Sequence, residues 1–296
     1  MASIRWFLLL AIVSINAVGV CAAEPTRVLV VIGPSDHPPG SHEVAAGGRL
    51  MGYCLEHATN VANLQADVVT AWPSDPKQLE QVRSVVFIGD TFPGERLPDS
   101  DKVMRDIAAM MARGCGIVCV HYATGLRAED VADDGQHPLL QWMGGYFATR
   151  CKHHQSVARI YPEATIAPGP EADHPLLRGW KAFTIHDEPY IKNYFGHDGN
   201  RLAVNVTPIA VSMLPPDAPQ REIVAWAVQR TDGGRGFGIV MPHFYRNWRQ
   251  NDLRTLILNS IVWTAGGEVP GVGVQTEVPD LARFQPVSIE PIPRSK

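Results

Sequence analysis

The chain has 296 residues, with 26 Lys and Arg against 30 Asp and Glu and a formal net charge of −4. That balance excludes a surface built for nucleic acid. Hydrophobic residues at 45% and charged residues at 19% exclude both a polytopic membrane protein and a disordered chain, and leave enough apolar material for one large core.

The first residues read as a processing signal. Arg5 precedes the apolar run Trp6 to Val20, and Val20-Cys21-Ala22-Ala23 supplies small residues for cleavage, so residues 1–23 read as a secretory signal peptide. The run is short for a membrane span, and no stable span is expected after cleavage. Cys21 as a lipid-attachment cysteine and an uncleaved anchor are the alternatives. The expectation is an exported protein, periplasmic or extracellular. Cys54, Cys115, Cys119 and Cys151 form no CxxC pair. Four residues of strand would hold Cys115 and Cys119 roughly 13 Å apart, too far for a disulfide, so buried thiols are expected.

In chain order, Arg27 to Gly33 is an apolar run ended by Gly and Pro, the pattern of a strand covered on both faces. Ser41 is the expected cap of a helix carrying Met51, Cys54, Leu55 and Ala58, with Gly47 and Gly48 weakening its first half. Asp67 to Ala71 and Ser84 to Gly89 read as strands. Ser100 opens a second helix with Val103, Ile107, Met110 and Met111 along one stripe, closed by Gly114. Gly116 to His121 is the fourth strand. This alternation predicts βαβ units and a mainly parallel sheet with helices on both faces.

From Gln155 to about Gln229 the pattern changes to short β-like runs: Ser156 to Ile160, Phe183 to His186, Leu202 to Val206, Ile209 to Leu214 and Glu222 to Val228. Pro, Gly and Asp clusters separate them, which predicts an antiparallel extension. Phe237 to Pro242 returns to a buried strand, followed by a helix capped by Asn251. One α/β domain is expected over 24–268. Residues 269–296 form a Pro-rich tail, either an extended strap or disordered. No Gly-rich strand-to-helix turn exists, so no nucleotide cofactor is expected.

Ligands bind outside the carboxyl ends of parallel strands, which directs attention to the residues just after each apolar run. The first run is followed by Ser35, Asp36, His37, His42 and Glu43, the third by Asp90, the fourth by His121 and Tyr122, and the last by His243. His154 and the segment Asp187-Glu188-Pro189-Tyr190 come from the irregular middle. Several imidazoles and a carboxylate at one rim suit a divalent ion, zinc first, with His121, His243 and His154 as ligands. Glu188 is the expected general base, with His121 and Tyr122 beside it as catalytic groups. His42, Asp187, Tyr190, Tyr245 and Trp248 are the candidates for substrate contact; core packing is the usual explanation for a tryptophan such as Trp248, and a sugar-stacking platform with Tyr245 and Arg246 is its alternative. His37, His57, His137, His174 and His197 are read as surface residues.

The strand ending in His121, the segment His174-Pro175-Leu176-Leu177-Arg178-Gly179, the segment Phe183 to Tyr190, and Gly234-Arg235-Gly236-Phe237 leading to His243 together resemble the trehalose-utilisation (ThuA-like) family over residues 26–268. The resemblance implies a flavodoxin-like α/β fold of the class I glutamine amidotransferase-like type without the nucleophilic cysteine, since His121-Tyr122 stands where a cysteine would. Amidotransferase activity is therefore not implied. It implies carbohydrate metabolism, on 3-keto sugars or glycosides, by metal-assisted or His/Glu acid–base chemistry. Hydrolase, lyase and isomerase reactions all remain open. A non-catalytic module binding carbohydrate or a partner protein is the alternative, and a homo-oligomer is a further expectation.

Overall fold

The computed structural model describes residues 24–196, 199–277 and 280–292. The signal peptide and lipid-attachment readings of residues 1–23, and His197, lie outside the described residues. No helix among the described residues is long and apolar enough to cross a membrane.

The chain is a mixed α/β structure around a nine-stranded sheet. The parallel half contains β1 (Thr26–Ile32), β2 (Leu64–Val69), β3 (Val82–Ile88) and β4 (Gly116–Val120). A three-residue pair follows, β5 (Gly125–Arg127) and β6 (Phe147–Thr149). The antiparallel half is β7 (Tyr161–Pro168), β8 (Phe183–Asp187), β9 (Val206–Leu214) and β10 (Gln220–Gln229), and β11 (Arg235–Ile239) joins the two halves. The order is β2-β1-β3-β4-β11-β10-β9-β7-β8, parallel as far as β11 and antiparallel beyond it.

The antiparallel extension is thus present, with different bounds. The run expected at Ser156 to Ile160 is irregular except for a bridge between Val157 and Ile191, and the strand there begins at Tyr161. Of the run expected at Leu202 to Val206, only Val206 lies in a strand, as the first residue of β9. The long helices are α1 (Val44–Glu56), α3 (Ser100–Ala112) and α5 (Asn251–Thr264), with single turns at α2 (Pro76–Glu80) and α4 (Pro138–Trp142). Their caps differ from the sequence reading. Ser41 pairs with Phe244 in a β-bridge while Glu43 precedes α1, and the Gln250 side chain, in place of Asn251, accepts from Asp252 N.

Adjacent residues of a strand point to opposite faces. On β3, Ile88 meets α1 through Gly47 and Gly48, whereas Phe87 stacks on Trp72, whose indole donates to Asp106 of α3. Helices therefore cover both faces. Gly48 lies so close to β1 that a Cβ there would sit 2.7 Å from Ile32 Cγ1. The glycine that weakens the helix locally is what allows it to seat on the sheet.

Two further features position the strand-end loops. The antiparallel half curls back: Asp187, at the end of the edge strand β8, accepts from His243 N at 2.9 Å and Phe244 N at 3.2 Å, just beyond β11. The tail is a strap. Glu43 accepts from Gly40 N, Val287 N and Ser288 N at 2.8–2.9 Å, Ile292 N donates to the Pro39 carbonyl, and Glu290 pairs with Arg246 and Arg249. The four described cysteines, Cys54, Cys115, Cys119 and Cys151, are free and buried.

Candidate functional site

Four loops at the carboxyl ends of the parallel strands meet. The loops after β1 and β3 touch at Gly33 and Gly89, where a Cβ on Gly89 would lie 2.9 Å from Gly33 Cα. Asp90 N donates to the Pro34 carbonyl, which brings the Asp90 carboxylate under the loop bearing His37 and His42. His121 follows β4 directly, and His243 follows β11, where the backbone of His42 donates to its carbonyl at 2.9 Å. His42 and His121 take left-handed backbone, φ 43° and 52°. Such conformations are costly for non-glycine residues and persist where surrounding structure over-determines them, often at sites of chemistry.

Three imidazole nitrogens converge. His121 Nε2 lies 2.8 Å from His42 Nε2, His42 Nε2 lies 2.9 Å from His243 Nδ1, and the third side of the triangle is 3.3 Å. Glu188 Oε2 stands 3.2 Å from His243 Nδ1, and the donor atoms of all four residues lie within 4.8 Å of one another. The tautomers follow from the outer partners. His42 Nδ1 faces Asp90 Oδ1 at 2.5 Å, and His121 Nδ1 faces the Val240 carbonyl at 3.0 Å. Both outer nitrogens must carry the hydrogen, because neither partner can donate. Both inner nitrogens of the neutral rings are then lone pairs aimed at one point.

The electrostatics keep these rings neutral. Burial lowers His42 from 6.5 to about 4 against the opposing bond to Asp90. Burial, reinforced by His42 and His243, holds His121 well below the usual imidazole range. Burial raises Asp90, but its hydrogen bonds to His37 and His42 outweigh it and hold the carboxyl well below the usual range. Burial pushes Asp187 up to about 6 in spite of His243 and the backbone donors, and leaves its Oδ2 without a partner. Burial also keeps Tyr190 a phenol, with its hydroxyl 3.0 Å from His121 Nε2 and its ring stacked on that imidazole.

These donors fit a divalent ion. Zn–N bonds of about 2.0–2.1 Å in tetrahedral geometry separate ligand nitrogens by roughly 3.3 Å. The observed 2.8–3.3 Å needs an opening of a few tenths of an ångström. Three imidazole nitrogens, one of them on an Asp-oriented ring, form a recognised zinc donor set with its outer support and leave the Glu188 carboxylate beside them.

Several expectations require correction. His154 is not among the converging donors: its Nε2 donates to the Lys192 carbonyl, and His42 takes the place expected for it. Asp187 is fully buried and holds the backbone of the His243 loop instead of facing a substrate. Tyr245 and Trp248 border the cleft but are each 2% exposed, and the Tyr245 hydroxyl donates to the Leu281 carbonyl, so neither offers an open ring face. Tyr122 does line the cleft, edge-on to His37 and His42. His37, read as a surface residue, is stacked on His42 at 3.5 Å with its Nδ1 2.7 Å from Asp90 Oδ2. His137 is buried and its Nδ1 accepts from Leu139 N, opening α4. Asp90 was signalled by its place after a strand, whereas nothing local to His37 reveals that its loop folds back onto β3.

Residues 27–264 match a family model described as "ThuA: Trehalose utilisation". A ThuA-like protein from Parabacteroides merdae superposes with a TM-score of 0.55 at 15% identity, over 86% of this chain and 98% of that one. One from Bacteroides uniformis gives 0.57 at 13% identity, over 83% and 96%. At these identities the likeness concerns the fold alone. No curated protein sequence matches the chain.

Proposed function

Because this chain belongs to the ThuA family, we propose that it is an exported carbohydrate-processing enzyme of flavodoxin-like architecture whose centre holds a divalent ion, zinc first, on His42, His121 and His243, with the Glu188 carboxylate beside it. The observation that carries this reading is the pair of inner lone pairs on His42 and His121, 2.8 Å apart and with no hydrogen between them. A cation at that point relieves the repulsion.

A bound zinc ion supplies Lewis-acid polarisation of a substrate oxygen and a bound water of lowered pKa. The protein does the rest. Asp90 and the Val240 carbonyl hold the imidazoles in their ligating tautomers. Glu188, beside His243, is placed to accept a proton at a carboxylate oxygen from the substrate. The Tyr190 hydroxyl donates toward the same point, where it can hold a substrate oxygen. The cleft over this point is narrow and is lined by His42, His121, Tyr122 and His243, so a substrate reaches the centre with one oxygen-bearing edge. Convergent ionisable groups without an open aromatic platform favour an enzyme over a binding module. Sugar-class chemistry itself comes from the family description.

The test is elemental analysis and zinc calorimetry of the purified protein and of His42→Ala, His121→Ala and His243→Ala. About one ion per chain in the parent, lost in each variant, is expected. A parent that takes up none after reconstitution overturns the reading.

A further inference from the structure

We propose that the cleft continues past Tyr122 into a second groove, lined by Arg127, Glu129, Thr149 and Arg150, whose two guanidinium groups receive the anionic substituent of an acidic sugar. This proposal rests on the reading of the centre as a carbohydrate site. Tyr122 is common to both spaces, lining the narrow cleft beside His42 and His121 and a wider, more open groove. Its hydroxyl lies 3.4 Å from Thr149 Oγ1. A substrate reaching the histidines with one edge would extend toward the groove across this one tyrosine.

The strand pair β5 and β6 places the cations. Its register sets Arg127 opposite Thr149, with Leu126 and Ala148 buried on the other face. Arg150 follows with a left-handed backbone, φ 56°. The acids nearby do not neutralise this wall. Asp130 is held by Arg96 and by Arg127 N, and Asp133 by Lys152. Glu129 approaches Arg127 only at 3.8 Å, with both side chains largely in solvent. Among the described residues, Arg150 pairs with no carboxylate. Of the side chains that line the groove, Arg127 and Arg150 are cationic and Glu129 is anionic, which leaves an excess of one positive charge at its wall. Guanidinium forks match carboxylate and phosphate oxygens in two-point contacts, which a neutral sugar cannot provide.

The experiment titrates the purified protein, with and without zinc, with glucuronate, glucose 6-phosphate and glucose, and repeats this on the Arg127→Gln/Arg150→Gln double variant. At least one anionic sugar should bind the parent about tenfold or more tighter than glucose at low salt, and the double variant should lose that preference. Which anion is preferred separates a carboxylate from a phosphate ligand. Equal binding of all three, binding of none, or a preference that survives the double substitution overturns the proposal, survival meaning that the anion sits on the metal. Zinc content of the same preparations keeps the two ideas apart. Absence of zinc uptake sinks the metal centre while the metal-free titrations still decide the groove.

Discussion

His42 and His121 face each other across 2.8 Å through nitrogens that both lack a hydrogen, because Asp90 and the Val240 carbonyl have claimed the other side of each ring. Asp90→Ala removes the acceptor that sets the His42 tautomer. Zinc affinity, read by competition with a chromogenic chelator, should fall about 10–100-fold. An unchanged affinity would show that Asp90 does not orient the ring.

The acid-side stability of the metal-free protein is set by opposing shifts. His42, lowered from 6.5 to about 4, binds its proton more readily in the unfolded chain, so stability is lost as pH falls from 6.5 to about 4, and His121 adds to this. Asp187, raised from 3.8 to about 6, binds its proton more readily when folded, so it contributes on the order of 3 kcal/mol that is lost as pH rises from about 4 through 6. Asp187→Asn deletes the second effect alone. Its melting temperature should therefore drop more steeply than the parent's between pH 6.5 and 4, and parallel curves would contradict the assignment.

Glu43 binds three backbone N–H groups, two of them in the C-terminal strap. Hydrogen bonds to a charged acceptor contribute about 1.5–3 kcal/mol. Glu43→Ala should expose residues 285–292 to limited proteolysis and weaken zinc binding through the His42 loop. A tail as resistant as the parent's would mean that the strap is held elsewhere.

Trp248 is core, not platform. Trp248→Ala should destabilise the fold by about 3–5 kcal/mol in denaturant titrations. A variant of parental stability with weakened sugar binding would reinstate the stacking role.

For Gly48, two effects compete. Alanine improves helix propensity by about 1 kcal/mol, whereas overpacking a formed core costs about 1–3 kcal/mol. The added methyl would press on two Ile32 carbons at 2.7 and 2.8 Å. Gly48→Ala should lower the melting temperature by a few degrees, and a rise would mean that α1 can shift.

The parallel half of the sheet was legible in the sequence because strands covered on both faces leave unbroken apolar runs such as Val28 to Ile32. The strand-end rule then pointed, without any motif, to His121 and His243, whose ring nitrogens the fold places 3.3 Å apart. Asp187, His37 and Trp248 were misread for a common reason: their surroundings are made by distant chain. Asp187 lies on an edge strand that curls back to β11, His37 sits on a loop drawn to β3, and Trp248 packs beside a glycine of α1. Periodicity reports a residue's own element and is silent on which remote loop will cover it.

His42 and His243 stand 201 positions apart in sequence, yet their side chains touch and their backbones share a hydrogen bond. A chain still emerging, or one with its second half unfolded, cannot present both. Ion capture at the proposed centre would therefore be a late event in maturation, and a chain trapped short of its last strand would be recognisable by its failure to retain an ion.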